Sequence, residues 1–490
     1  MSSRSNSLRR GVRAVTAAAQ LKRRGWTMLT ACGLTLGTLV ASAPPGLARP
    51  LVQTVQLAVQ VDGNLGPVVM RHGFLHGLDG TAGYDADKVA LLRPRHWRLG
   101  KYASYAFASR YDVAITYGLS GPFAWSRGGF PEVSPWEDWA AWEDFVRLRI
   151  AELNASFPEH LPVYYDIWNE GDHAYFWHGT DEQLLELFAR TAAIVRANAP
   201  EAKLVGPSAS WYRPGRAGVA DVPAFLAALG TRWGVRLDAV SWHENHTATP
   251  NVIVDNARRI RRDLQAHFGD AYRPELHVNE MMGTEVHSQP GWNVGYLYYL
   301  EQAEVDASMR ACWSVYEVDA DREQVRRYSD CWAGLNGMFL ADGRTEQPAY
   351  WVVRAYAETE GEIRLPVTPG RHTTTALASR DDANRRVRLV VGRHGGVGRA
   401  DVALRLDGWP WEGAILASAA RIPTYPGFTG NPSQAVGLPE GPLPVFERRL
   451  RRTEGTLRLT LPSVGEGEAW IVDLRPAPRL WLPRVLRKMR

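Results

Sequence analysis

Tyr164-Tyr165-Asp166-Ile167-Trp168-Asn169-Glu170-Gly171-Asp172 reads as a buried apolar strand that ends in an Asn-Glu pair and a Gly turn. A strand of a closed barrel delivers a carboxylate to its C-terminal mouth in this way. A second run of the same design, Leu276-His277-Val278-Asn279-Glu280, places its glutamate 110 residues further on and is followed by Met281-Met282-Gly283. If both strands belong to one barrel, Glu170 and Glu280 face each other across its mouth, where paired carboxylates suit glycosidic bond cleavage. One Asn-Glu dipeptide arises easily by chance. Two, each closing a strand in a regular alternation, point to a site, and the competing reading is a pair of solvated loop glutamates.

The alternation extends to both sides of these strands. Candidate strands are Phe74–Leu78, His96–Leu99, Asp112–Tyr117, Val163–Trp168, Lys203–Gly206, Asp238–Trp242, Glu275–Asn279 and Ala311–Tyr316. Amphipathic helices fall between them at Trp136–Leu153, Asp181–Ala199, Asp221–Leu229, Ile253–Phe268, Asn293–Met309 and Pro348–Thr359. The clearest is Asp181–Ala199, where Leu184, Phe188, Thr191 and Val195 make one stripe and Thr180 with Gln183 forms a capping box. Eight strands alternating with helices indicate an α/β fold of the (β/α)8 TIM barrel type. A doubly wound sheet is disfavoured because no Gly-rich dinucleotide turn follows the first strand.

Residues 51–62 alternate apolar and polar and read as one half-buried strand with no hairpin partner nearby. It is expected to pair with the C-terminal part of the chain. There, from 360 to 475, the helical period stops and short alternating runs appear at Arg386–Val391, Asp401–Leu406, Ala414–Ala419, Thr456–Leu461 and Ala469–Asp473, split by Gly, Pro and Asp/Asn turns. That pattern signals an accessory β-sandwich. The expected organisation is an export signal over 1–48, the N-terminal strand within 49–65, the catalytic barrel over 66–358, the sandwich over 359–475 and a basic tail over 476–490.

The first segment has a basic region (Arg9, Arg10, Arg13, Lys22, Arg23, Arg24), an apolar run from Met28 to Ala41, and Ala-Ser-Ala at 41–43. This is the layout of an export signal. The apolar run is about 14 residues, short of the roughly 20 that a spanning helix needs, which favours a cleaved signal over an anchor. Export to the periplasm, cell surface or exterior is the expected localisation. The tail carries Arg479, Trp481, Leu482, Arg484, Leu486, Arg487 and Lys488. It reads as a disordered end or as a peripheral contact with an anionic envelope surface.

Composition narrows the function classes. At 45% apolar and 22% charged residues the chain is globular. The net charge of +5 is carried by the ends: eight bases and no acid in residues 1–50 leave −3 for the remainder, and six more bases from Arg475 to Arg490 leave about −9 for the middle. A nucleic-acid partner is not expected from that balance. Nineteen tryptophans, among them Trp125, Trp168, Trp177, Trp211, Trp242, Trp292 and Trp313, suit stacking on sugar faces, or core burial. Cys312 and Cys331 either bridge in an oxidising compartment or stand as two thiols. No Cys/His spacing resembles a zinc site, the cluster His243-Glu244-Asn245-His246 being too compact. Neither a metal nor a cofactor is expected.

Hydrolysis with retention needs an acid to protonate the departing oxygen and a carboxylate roughly 5–5.5 Å away to attack the anomeric carbon. Trp168-Asn169-Glu170 on the fourth strand with Glu280 on the seventh resembles the 4/7 superfamily of glycoside hydrolases, clan A. The early strand, barrel and trailing sandwich, over about residues 52–475, resemble family 39 within it, which includes β-xylosidases, α-iduronidases and bacterial exopolysaccharide glycosidases. The resemblance implies Glu170 as acid/base, Glu280 as nucleophile, and Asn169 as the holder of the sugar hydroxyl next to the reacting carbon. It also sets Arg98, closing the second strand, beside the nucleophile, where a fixed cation would keep Glu280 ionised; the alternative is a structural ion pair.

His243 closes the sixth strand, where the family commonly has His-x-Tyr. Here Asn245 stands third and Glu244 adds an acid between them, so which group hydrogen-bonds the nucleophile is open. Trp313 on the eighth strand is placed to floor the sugar subsite or to serve the core. His76 and Asp79, after the first strand, are placed to meet a sugar hydroxyl or to be structural. The expectation is an exported retaining glycosidase acting on a polysaccharide or oligosaccharide. The alternative is a non-catalytic saccharide-binding protein on the same barrel, against which both glutamates speak. Oligomeric state, linkage and exo or endo action are not legible.

Overall fold

The N-terminal strand β1 (Gln53–Gln60) buries Val55, Leu57 and Val59 and exposes the residues between them, a half-buried strand at the two-residue period. In the computed structural model the described residues are 53–76, 83–100, 102–120, 134–174, 176–245, 249–283, 286–311, 316–318, 324–326, 334–424 and 436–478. Trp125, Asp79, Trp313, Cys312, Cys331, the export segment and the basic tail from Arg479 onward lie outside them.

Eight parallel strands close into a barrel: β2 (His72–Leu75), β3 (His96–Leu99), β4 (Ala114–Gly118), β5 (Tyr164–Asp166), β6 (Lys203–Ala209), β7 (Ala239–Glu244), β8 (Glu275–Met281) and β9 (Ala307–Arg310). β9 pairs back onto β2, so the barrel has no edge. Around it run α1 (Ala86–Leu91), α2 (Tyr102–Ala108), α3 (Trp139–Ser156), α4 (Asp181–Asn198), α5 (Val222–Trp233), α6 (Val252–Phe268), α7 (Pro290–Gln302) and α8 (Pro348–Ala357). In α4 the Thr180/Gln183 capping box is formed and Leu184, Phe188, Thr191 and Val195 are all buried, as the spacing predicts. A short hairpin, β10 (Tyr316–Val318) with β11 (Gln324–Arg326), follows the last barrel strand.

The eighth strand corrects the sequence reading. It spans Ala307–Arg310, not Ala311–Tyr316, and the helix expected to run to Met309 stops at Gln302. Ala307-Ser308-Met309 holds good helix formers, so local propensity favours continuing the helix. Tertiary contacts overrule it. Glu304 turns into left-handed backbone (φ 52°), and arginines distant in sequence take up the freed carbonyls: Arg261 donates to Ala303 (2.7 Å) and Glu304 (2.5 Å), and Arg71 to Val305 (3.0 Å).

The C-terminal region forms two layers, one antiparallel and one mixed. One is β12 (Ile363–Arg364), β14 (Thr374–Asp381), β15 (Arg386–Arg393), β20 (Ala469–Pro476), β17 (Ile415–Ile422) and β18 (Leu443–Leu450), in the order 12-14-15-20-17-18. The other is β13 (Val367–Thr368), β1, β16 (Arg399–Asp407) and β19 (Leu457–Gly465). β1 lies parallel to β16 from Gln53↔Ala400 to Gln60↔Asp407, so the N-terminal strand does join the sandwich. Leu57, Val59, Leu389, Leu404, Trp470 and Val472 share the core between the two layers.

Helix α7 has no polar face: every residue from Pro290 to Leu300 except Trp292 is buried. A helix that is apolar all round must be covered on both sides. Here Tyr296 and Leu300 join the barrel core, while Val294, Leu297 and Tyr298 join a second cluster with Leu377 and Val390 of the sandwich. Gly291 permits the contact, since a Cβ there would fall 2.6 Å from the Glu468 carbonyl oxygen.

Candidate active site

Both strand-end glutamates reach the barrel mouth through irregular backbone. After β5 the chain continues through buried Ile167 and Trp168 to Glu170, which takes φ 50°. Left-handed backbone is costly for a residue with a Cβ and persists where its surroundings hold it. Here the Glu170 N–H donates to the Ser208 carbonyl at 3.0 Å and the Asn169 N–H to Ser120 Oγ at 3.1 Å. On β8 the register slips against β9 between Val278 and Met281. A regular strand would send Asn279 and Glu280 to opposite faces. With the bulge both turn into the barrel, Asn279 onto Asp166 and Glu280 onto Arg98.

The centre is Arg98, 5% exposed, at the end of β3. Its Nη1 donates to Glu280 Oε1 (2.6 Å), its Nε to Asp166 Oδ2 (2.7 Å) and its Nη2 to Asn169 Oδ1 (2.7 Å). Burial alone would depress the guanidinium, but the Asp166 and Glu280 charges outweigh it and hold Arg98 above its ordinary value. One fixed cation therefore stands against two buried carboxylates. Asp166 is completed by Ser208 Oγ (2.8 Å) and Asn279 Nδ2 (3.2 Å).

Glu170 stands on the other side. Its Oε1 lies 2.8 Å from His243 Nδ1, and the same nitrogen is 3.4 Å from Glu280 Oε2. One ligand atom from each of Glu170, His243 and Glu280 lies within 4.8 Å of the others, so a carboxylate oxygen of one glutamate is within that distance of the other. Complete burial pushes the His243 imidazole down to about 4, with Arg98 adding to the effect and Glu280 opposing it. The ring is neutral near neutral pH, hydrogen-bonds Glu170 and stands close to Glu280 without adding a positive charge. These three residues are also a donor set that could take a divalent cation, but the Arg98 charge already sits on Glu280, so an entering ion would compete with it.

Asn245 Nδ2 donates to Glu280 Oε2 at 3.0 Å. Along β7, His243 and Asn245 turn inward, while Glu244 turns out to Trp242 Nε1 (2.6 Å) and, on α6, Asn256 Nδ2 (2.9 Å). The extra acid in this segment is thus removed from the two site glutamates. His76, also in left-handed backbone (φ 55°), donates its N–H to the Arg98 carbonyl at 2.8 Å, and its own carbonyl accepts from Trp97 Nε1.

The structure thus brings together Glu170, Glu280, Asn169, Arg98, His243 and Asn245. His76 adjoins them through backbone, and Trp313 is not among the described residues. Of the other tryptophans, Trp168, Trp177 and Trp242 are buried; Trp168 packs on Trp142 and Trp177 with ring centroids 5.8 and 5.2 Å apart, a core role. Trp211 is 44% exposed.

Sequence reasoning missed Asp166, Ser208, Asn279 and Arg310. Asp166 carried a signal, a charge inside an apolar strand that must find a partner, and Asn279 lies next to Glu280. Arg310 is buried with backbone and neutral partners: the Asn336 carbonyl (2.7 Å), the His287 carbonyl, Asn293 Oδ1 and Met282 Sδ (3.0 Å). Burial pushes it down to about 9. It ties down the loop that follows β8.

This architecture, an eightfold barrel with an appended β-sandwich, is one that solved glycosidases share. The chain is similar to a protein of Neocallimastix frontalis (TM-score 0.68, 18% identity, 87% of this chain and all of that one). It is similar also to the family 39 glycoside hydrolase of Xanthomonas axonopodis pv. citri (TM-score 0.58, 16% identity, 87% and 98%) and to a monomeric β-xylosidase of Caulobacter crescentus (TM-score 0.59, 15% identity, 87% and 100%). No protein-family model and no curated protein matches the sequence.

Proposed function

We propose that the protein is a glycoside hydrolase that cleaves an O-glycosidic bond of a polysaccharide or oligosaccharide with retention of configuration. The observation that carries this reading is the separation of the two glutamates, an oxygen of one lying within 4.8 Å of an oxygen of the other. Retention calls for roughly 5–5.5 Å between the carboxyl groups, and inversion for about 6.5–9.5 Å, to admit a water molecule.

Glu280, with Arg98 on one oxygen and Asn245 on the other, is the fixed carboxylate suited to attack the anomeric carbon. Glu170 faces a neutral imidazole and can hold a proton for the leaving oxygen. Once the glycosyl–Glu280 ester has formed, ionised Glu170 takes a proton from water, which attacks the same carbon and frees Glu280. Asn169, held by Arg98, is placed to bind the hydroxyl next to that carbon. The basic and apolar layout of residues 1–48 supports export ahead of this reaction.

The test is to trap the enzyme with an activated 2-deoxy-2-fluoro glycoside and map the adduct by peptide mass spectrometry. The label is expected on Glu280; a label on another residue, or none from any sugar in a broad panel, overturns the assignment.

A further inference from the structure

Asn245 carries a hydrogen-bonding capacity that no other described residue uses. It is 7% exposed and gives its Nδ2–H to Glu280, yet its Oδ1 has no hydrogen-bond partner among the described residues. The orientation of the amide is set by charge, because a carboxylate accepts from the NH2 and repels the carbonyl. Standard amide geometry then puts Oδ1 about 2.3 Å from Nδ2, and roughly 4–5 Å from the Glu280 oxygen that Nδ2 holds. A buried acceptor left unmet is costly unless a ligand meets it.

The two oxygens of Glu280 define which side of a sugar this acceptor addresses. Arg98 links Oε1 to Asn169 through Nη1 and Nη2. His243 and Asn245 stand together at Oε2. A pyranose carbon under attack also has two flanks, the C2 hydroxyl on one and the ring oxygen leading to C5 on the other. With Asn169 on the C2 flank, Asn245 falls on the C5 flank. Its side chain ends two bonds beyond Cβ, so it leaves room there for a substituent that a phenol at the same position would displace.

We infer that Asn245 is a specificity-determining residue whose Oδ1 accepts a hydrogen bond from the C5 hydroxymethyl group of a neutral hexopyranoside, an inference that rests on the glycosidase reading above. Pentopyranosides have no group to donate. A uronide would bring a carboxylate against the amide oxygen, acceptor against acceptor.

The experiment uses aryl glycosides with one leaving group in matched sets: glucoside, xyloside, 6-deoxyglucoside and glucuronide, and the corresponding galacto set. In the wild-type enzyme kcat/KM for the hydroxymethyl member should exceed its pentose, 6-deoxy and uronide counterparts by about 10- to 100-fold. Asn245→Ala should slow every substrate, since Glu280 loses a donor, while the hydroxymethyl preference falls toward one. A wild-type ratio of one or less, or a ratio that Asn245→Ala leaves unchanged, overturns the inference. If the fluoro glycoside labels Glu280 while no hexose preference exists, only this inference fails. If neither label nor turnover is found with any sugar, the glycosidase reading fails with it.

Discussion

The two ends of the barrel solve the same problem differently. At the end opposite the mouth Glu275, at the start of β8, accepts from Lys203 Nζ (2.6 Å), Tyr164 Oη (2.5 Å) and, through the His277 ring, Nε2 (3.0 Å). Partial burial works against its charge, but the three hydrogen bonds win and hold it far below the usual carboxylate range. At the mouth, five residues along the same strand, Glu280 is also paired with a cation, Arg98, while Glu170 meets the neutral ring of His243. A carboxylate gripped by lysine cannot exchange a proton near neutral pH. In the reaction proposed above, the carboxylate assigned that exchange is the one set against a neutral imidazole.

The comparison breaks most sharply at Glu280. Glu280→Gln is expected to lower kcat/KM by about 10⁴-fold or more with the far-ultraviolet dichroism unchanged; a variant that keeps a tenth of the activity would remove Glu280 from the chemistry. Glu170→Gln should cost about 10²–10⁴-fold on substrates with poor leaving groups and far less on the glycosylation of dinitrophenyl glycosides, and azide should restore turnover with those activated substrates. Equal losses across leaving groups would deny it the acid role.

Arg98→Lys cannot reproduce a fork that reaches Glu280, Asp166 and Asn169 together. It should lower both kcat, by about 10²-fold, and stability, by about 3 kcal/mol on chemical denaturation. At the opposite end, Glu275→Gln should lower the melting temperature yet leave kcat of the folded enzyme within about twofold, since surface-linked ion pairs act on stability alone.

Acid should sharpen the contrast further. His72 and His243 are held at about 4 and His96 at about 3, burial being the main cause in each. Their folded values lie below the unfolded 6.5, so the unfolded chain binds protons first. Stability is therefore intact above about 6.5 and is lost as pH falls toward about 4. His96→Leu should flatten the fall in melting temperature over that window. The smallest effect is expected from Gly283→Ala, whose Cβ would lie 2.6 Å from the Asn245 carbonyl oxygen. On kcat the loss should be severalfold, reporting a displaced Asn245, while the backbone that must give way lowers the melting temperature.

How much of this could be read from the sequence depends on where the determining contact lies. The strands carrying Glu170 and Glu280 were legible because their apolar runs and turn residues are local. So was α4, with its own cap and stripe. The eighth strand was not, since Arg71 and Arg261, from elsewhere in the chain, decide where α7 ends. Ser208 and Asp166 were hidden for a related reason: their hydrogen bond spans 42 residues, and nothing around Ser208 marks it. The sequence left open which group holds the nucleophile. Geometry gives Asn245, because strand alternation turns Glu244 away.

The clamped position of α7 reaches as far as Glu280. That helix follows the strand and loop bearing Glu280, and its outer face is seated on the sheet of β14 and β15. The sandwich is thus a buttress behind the strand that carries Glu280, and not a detachable appendage. A chain trimmed to its barrel would lay bare Leu297, Tyr298 and Val294 and loosen the backing of the stave that bears Glu280.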